Sequence, residues 1–240
     1  MNNNIKVKNR IIAFFLSLSL ILGLGMIVSP TAIASSSSHN LYKTVGKPVV
    51  NSFRASFNGS LAETIVGRAI WYMEYGHMVY GHSKYPKTGY IDCSNFVSLV
   101  YKDFGYSITS AAREYNHVGV KVPGVYVKNG TMIGANKLKP GDIFTFERTN
   151  YISHVAMYIG TFDGEVCFIG TTTGYPTAIG IVSGFNNWYG KQFHGVRRVL
   201  PASAYKDGGK IKDKGPVIPA KYQMKPTKKI VLPKNLPAGF

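Results

Sequence analysis

Acidic residues are scarce in this chain: 11 Asp and Glu stand against 28 Lys and Arg in 240 residues, a formal net charge of +17. A protein so charged is drawn to polyanions. Cysteine is nearly absent, with only Cys93 and Cys167, so the fold does not depend on a disulfide framework, and one staple would do little for a chain of this size and regularity. Zinc-ligand spacings, helix-turn-helix patterning and RNA-stacking signatures are missing as well, which removes nucleic acid from the expected partners and leaves no metal or organic cofactor to expect. Long apolar runs are limited to one, from Ile11 to Val28.

That run sits where a leader belongs. It follows Lys6, Lys8 and Arg10, with no acid among them, and precedes Ala32-Ile33-Ala34, small residues at cleavage positions. Residues 1–34 therefore read as a signal peptide and the product as secreted, at or near the cell wall, with no membrane-spanning segment left after cleavage. Its removal leaves 25 basic residues against 11 acidic, a net +14. Outside a cell, anionic wall polymers and phospholipid headgroups are the polyanions at hand.

Residues 35–58 are polar with scattered apolar positions and read as a linker. A domain over 59–203 follows. In SLAETIVGRAIWYMEYG, Ser60 caps, Glu63 stands three later, and Leu61, Ile65, Ala69, Tyr72 and Met73 keep helical spacing up to Gly76. A second helix starts at Cys93, with Phe96, Val97, Leu99, Val100 and Phe104 on its apolar face and Gly105 after it. Four β-type segments come later, over 142–147, 153–160, 165–171 and 193–200. Helices first and strands afterwards indicate an α+β domain. Residues 204–240 form a basic, proline-punctuated tail; from 206 onward it has nine Lys and two Asp, half of the remaining charge. Such a segment buries no core and suits contact with anionic wall polymers.

The stretch IDCSNFVSLVYKDFG, residues 91–105, places a thiol at a helix N-terminus. Unpaired N–H groups and the positive end of the dipole favour its deprotonation there, and the amides of Cys93, Ser94 and Asn95 can face an oxyanion forming beside the sulfur. A thiolate nucleophile needs a base. Of His39, His77, His82, His117, His154 and His194, His154 starts an alternating strand, which fixes a side chain at a sheet rim within reach of a helix terminus.

The landmarks resemble the NlpC-type cell-wall cysteine endopeptidases, a bacterial branch of the papain-like fold. The family's Asp-Cys-Ser-Gly-Phe/Leu-Val is similar to Asp92–Val97, its Leu-x-Pro-Gly-Asp-Leu to Leu138–Ile143, its Ser-His-Val-Gly-Ile-Tyr-Ile-Gly to Ser153–Gly160, and its Gly-Ala-Arg-Arg-Val to Gly195–Val199. Over residues 60–200 the resemblance implies a papain-like domain with N-terminal helices packed on an antiparallel sheet. It implies Cys93 as nucleophile, His154 as base, His194 as a plain strand residue, and Asp92 and Ser94 as holders of the substrate peptide. The substrate implied is the peptidoglycan stem peptide, cut between D-isoglutamate and the diamino acid.

Three departures from the family pattern stand out. The polar residue, often His, that orients the base falls at Gly170, leaving Thr171, Thr172, a carbonyl or water for that part; strand alternation puts Gly170 and Thr172 on one face and Thr171 on the other, and Thr171 is the reading taken here. In HMVYGH, Met78 replaces the family's substrate-contacting tyrosine while Tyr80 keeps a ring nearby. Asn95 replaces the glycine after Cys-Ser. Two rival readings remain open: a catalytically impaired wall-binding protein, and a thiol amidase or acyltransferase acting on another substrate.

Overall fold

A computed structural model describes residues 42–76, 78–82, 89–172 and 177–207. The leader over 1–34 and nearly all of the basic tail lie outside the described residues. The described residues all belong to one compact unit.

The segment expected to be a linker is structured from Tyr42 onward: a π-turn over Tyr42–Gly46 leads into helix α1, Lys47–Ser56. Its apolar residues are few but well placed. Val49, Val50 and Phe53 share one face and are buried, which outweighs the Ser and Asn content that made the stretch read as a connection. Arg54 is buried with them and reaches the carboxylate of Glu74 through Nη1–Oε1 and Nη2–Oε2, at 3.2 and 2.5 Å. Glu74 belongs to α2, Leu61–Tyr75, the first helix expected from the sequence. Ser60 caps it by accepting the Glu63 N–H at 3.2 Å, and Glu63 accepts the Asn58 N–H at 2.6 Å.

Helix α3, Cys93–Asp103, starts at the expected thiol. Tyr72 of α2 donates to Asp103 at 2.7 Å, pinning α2 to α3, and Arg68 stands 3.7 Å from the same oxygen. Burial pushes the Asp103 carboxyl up to about 6 in spite of these partners.

The strands are β1 (Val79–Tyr80), β2 (Tyr90–Ile91), β3 (Val120–Lys121), β4 (Tyr126–Lys128), β5 (Thr131–Ile133), β6 (Ile143–Arg148), β7 (Tyr151–Phe162), β8 (Glu165–Thr171), β9 (Ile179–Ser183) and β10 (Phe193–Arg198), with a short helix α4 at Trp188–Gln192. Six of them build one sheet in the order β3-β10-β6-β7-β8-β9, each neighbouring pair antiparallel. The four strands expected from alternation are its centre. β9, α4 and the two-residue strands were not foreseen, being too short to carry a periodic signal.

The sheet divides two cores. Val155, Met157, Ile159, Cys167 and Ile169 pack under the helices with Phe96, Val97 and Val100 of α3. On the opposite face Phe144, Phe146, Ala156, Tyr158 and Phe168 pack with Phe185, Tyr189 and the β4–β5 hairpin residue Met132. Helices on one face of an antiparallel sheet make the α+β domain expected from the sequence.

Two of the landmark motifs lock to each other at one end of β6. Asp142, fully buried, accepts from Arg198 Nε and Nη2 at 2.7 and 2.6 Å and from the Lys139 N–H at 2.8 Å. Tyr101 of α3 donates to the Gly141 carbonyl, 2.5 Å away, and Gly141 holds φ +86°, a value that suits glycine. These motifs are structural: they tie β10, the start of β6 and α3 together.

Candidate active site

Asp92 caps α3. Its Oδ1 accepts the Asn95 N–H at 2.8 Å, Asn95 Nδ2 at 2.8 Å and lies 3.1 Å from Ser94 Oγ, while Oδ2 lies 3.3 Å from His82 Nδ1. The Asn95 amide is therefore spent on the cap and is not free to meet an oxyanion. Ser94 is buried and its hydroxyl points to the Ser110 carbonyl at 2.7 Å, so it braces the loop after α3 instead of facing substrate. Asn95, the departure from the family glycine, adds a second donor to the cap.

The N–H groups of Val155, Ser94 and Cys93 itself act on the Cys93 thiol and favour its ionised form. The Cα pairing of β7 with β8 ends at Met157–Ile169, before Val155 is reached. Cys93, at the end of a helix on one face of the sheet, is held against the strand residue next to His154. The two cysteines are both free, so the thiol is not tied up in a disulfide.

Burial decides the protonation of this pair. It pushes the Cys93 thiol up to about 11, the three N–H donors failing to offset it and the Asp92 charge adding to it. It pushes His154 down to about 4, against the opposing pull of Asp92. The thiolate expected from the helix terminus is not the resting form: a dipole end contributes a fraction of a charge, and loss of water around the sulfur outweighs it. Neutral thiol beside neutral imidazole is the resting state.

His154 steps with Ala156 onto the second face. Its ring meets Phe146, Tyr189 and Trp188, with centroids at 5.5, 5.8 and 6.0 Å, and its Nε2 is buried with no hydrogen-bond partner. Thr171 steps with Ile169 onto the helix face, and its Oγ1 is likewise buried and unpartnered. The bond expected between Thr171 and His154 is thus not formed. Thr172, on the face of Gly170, donates to the Ala178 carbonyl at 3.2 Å.

Gly170 is tightly packed, so that a side chain there would need its neighbour to give by a few tenths of an ångström. A Cβ there would stand 3.1 Å from the Ala156 Cβ, and Ala156 is itself where the resemblance places a glycine.

Tyr80 is 45 % exposed on β1, with its ring 5.7 Å from that of His82 and the charges of Cys93 and Asp92 acting on its phenol. Tyr189 was missed in the sequence; burial first and then Cys93 raise its phenol to about 12. Its only sequence signal is the aromatic pair Trp188-Tyr189 in a polar turn. His194 is a strand residue whose Nδ1 lies 2.5 Å from Glu147 Oε2, away from the thiol. Among the described residues no group of His, Cys, Asp or Glu has a metal-holding arrangement, and no helix is long and apolar enough to cross a membrane.

The NlpC/P60 family profile matches residues 77–198, just over half of the chain, from the loop before Cys93 to Arg198. The chain belongs to the NlpC/P60 family. Among solved structures it is similar to an NlpC/P60 family protein from Bacillus cereus, with 24 % identity and a TM-score of 0.42 over 58 % of this chain and 40 % of that one. It is also similar to NlpC2 from Trichomonas vaginalis, with 18 % identity and a TM-score of 0.44 over 61 % and 49 % of the two chains. The NlpC/p60 domain of the peptidoglycan hydrolase SagA aligns with 19 % identity and a TM-score of 0.39, over 57 % of this chain and 97 % of that domain. The match thus spans less than half the length of the Bacillus and Trichomonas proteins. No curated protein sequence matches the chain. The NlpC/P60 domain here has the family's papain-like plan, a cysteine-bearing helix packed on an antiparallel sheet.

Proposed function

We propose that this NlpC/P60 protein is a secreted cysteine endopeptidase that cleaves an amide bond of the peptidoglycan stem peptide, between D-isoglutamate and the diamino acid. The observation that carries the reading is the buried Cys93 thiol at the α3 N-terminus, on which the N–H of Val155, the residue after His154, acts. Family membership supports wall peptide as substrate, the leader supports export, and the basic tail supports attachment to anionic wall polymers.

The chemistry starts from a neutral pair. As the sulfur attacks the carbonyl carbon, its proton passes to His154, and the amide oxygen becomes an oxyanion beside the N–H groups of Cys93 and Ser94. The imidazolium then gives that proton to the departing amine as the C–N bond breaks. Water, deprotonated by His154, attacks the acyl-enzyme and restores the thiol. Asp92 holds the helix end in place, and Tyr80 supplies an exposed ring to the substrate.

A second reading is favoured by the unpartnered His154 Nε2 and by Gly170: a wall-binding protein with an impaired site. Digestion of purified peptidoglycan separates the two. The wild-type protein is expected to release new amino groups. Cys93→Ala should release none, and His154→Ala should lose about 100- to 10,000-fold in rate. Wall binding by wild type with no amino groups released would sink the peptidase; fragments cut elsewhere than in the stem peptide would place it on another substrate.

A further inference from the structure

The site lacks the side chain that normally orients the base, yet the base is not loose. Its ring is enclosed on three sides by aromatic rings, Phe146 at an interplanar angle of 41°, Tyr189 at 52° and Trp188 at 76°. Phe146 lies opposite His154 in the β6–β7 ladder. The other two come from α4, a turn and a half of helix that the periodic pattern of the sequence did not show.

That turn is built to be rigid. Asn187 caps it by accepting the Tyr189 N–H at 2.9 Å. Just before it, Phe185 is buried and stacks on Phe168 with centroids 5.3 Å apart at 25°. Tyr189 in turn stands edge-on to Phe146 and Phe168, at 5.2 and 5.1 Å. The ring that touches His154 is therefore set by contacts to β6 and β8, the strands on either side of the one that bears it.

Resting on the reading of Cys93 and His154 as the reacting pair, we propose that Trp188 and Tyr189 are positioning residues, which hold the His154 imidazole by packing in place of the polar side chain that Gly170 cannot provide. Three observations require some such device. Position 170 carries no side chain, Thr171 lies on the other face of the sheet, and His154 Nε2 is buried with no hydrogen-bond partner. A flat ring trapped between rings keeps its tilt without a hydrogen bond, and the faces of Tyr189 and Phe146 are attractive to the imidazolium when it forms.

Burial of the ring among these side chains is why it stays neutral far below its ordinary range. The ionisable groups around it are Asp92 and Cys93 at the α3 terminus, Tyr189 on α4, and the Glu147–His194 pair on β6 and β10. Of these, Asp92 alone is seen to act on its titration.

The test reads His154 directly by NMR titration of its ring protons, in a Cys93→Ala background where turnover plays no part. The midpoint is expected near 4; in Trp188→Ala or Tyr189→Ala it should rise by about one to two pH units as water reaches the ring. In proteins that keep Cys93, the same substitutions should lower kcat on wall substrate by about 10- to 100-fold with little change in KM. Tyr189→Phe, which keeps the ring, should hold the midpoint near the wild-type value and recover most of the kcat lost in Tyr189→Ala. An unmoved midpoint in the two alanine variants, or a phenylalanine variant as damaged as the alanine one, would overturn the proposal. Full wall hydrolysis by Cys93→Ala would instead overturn the reading on which it rests.

Discussion

The two ends of strand β6 treat their polar groups in opposite ways. At its start, Asp142 accepts three hydrogen bonds from Arg198 and Lys139. At its far end, beside Phe146, His154 Nε2 and nearby Thr171 Oγ1 are buried and bonded to nothing. Folding satisfies buried polar groups wherever it can, because an unmade bond costs about 1–3 kcal/mol. The first end is a fastening of the fold. The second keeps groups unsatisfied and short of water, which is the condition in which they react when substrate arrives.

Breaking the fastening should have the largest effect. Arg198→Ala leaves the Asp142 carboxylate buried without its cation, and about 3–5 kcal/mol of stability should go with it. Thermal unfolding measures this, with activity falling only as the folded fraction falls. A variant with an unchanged unfolding temperature would mean that the two motifs are not a fastening. At the other end, Thr171→Val removes an unpartnered hydroxyl while keeping the shape, so stability should stay level or rise by about 1 kcal/mol and turnover should hold. A clear drop in kcat would show that Thr171 turns to serve His154 during catalysis.

The difference between the two ends also sets how much could be read in advance. Helices α2 and α3 and the central strands β6, β7, β8 and β10 were legible, because each buries one face along a regular period. Asp92, Cys93 and His154 stood out by chemistry and position. Helix α1 was hidden by its polar exposed face, although Val49, Val50 and Phe53 suffice to bury it. The Asn95 amide and the Ser94 hydroxyl were read as free; that Asp92 claims the first and the Ser110 carbonyl the second depends on rotamers that no linear pattern records. The ionisation of Cys93 was misjudged for a related reason. The dipole is visible in the sequence, whereas the depth of burial that overrides it is made by β7, some sixty residues later.

Trp188 and Tyr189 show a further limit. Aromatic residues in a polar turn carry no period, and their partner His154 lies in another strand. Only the ladder that places Phe146 opposite His154 reveals that the turn closes over the same spot.

The account turns on a thiol that is neutral at rest and becomes a nucleophile only as its proton leaves for His154. Inactivation by iodoacetamide, followed across pH by loss of wall hydrolysis and by mass mapping of Cys93, tests this most directly. The expected rate is slow at neutral pH and still climbing above pH 9, in line with a thiol held near 11. A plateau reached by about pH 5, the mark of a preformed thiolate, would contradict it, as would complete labelling of Cys93 with wall hydrolysis intact.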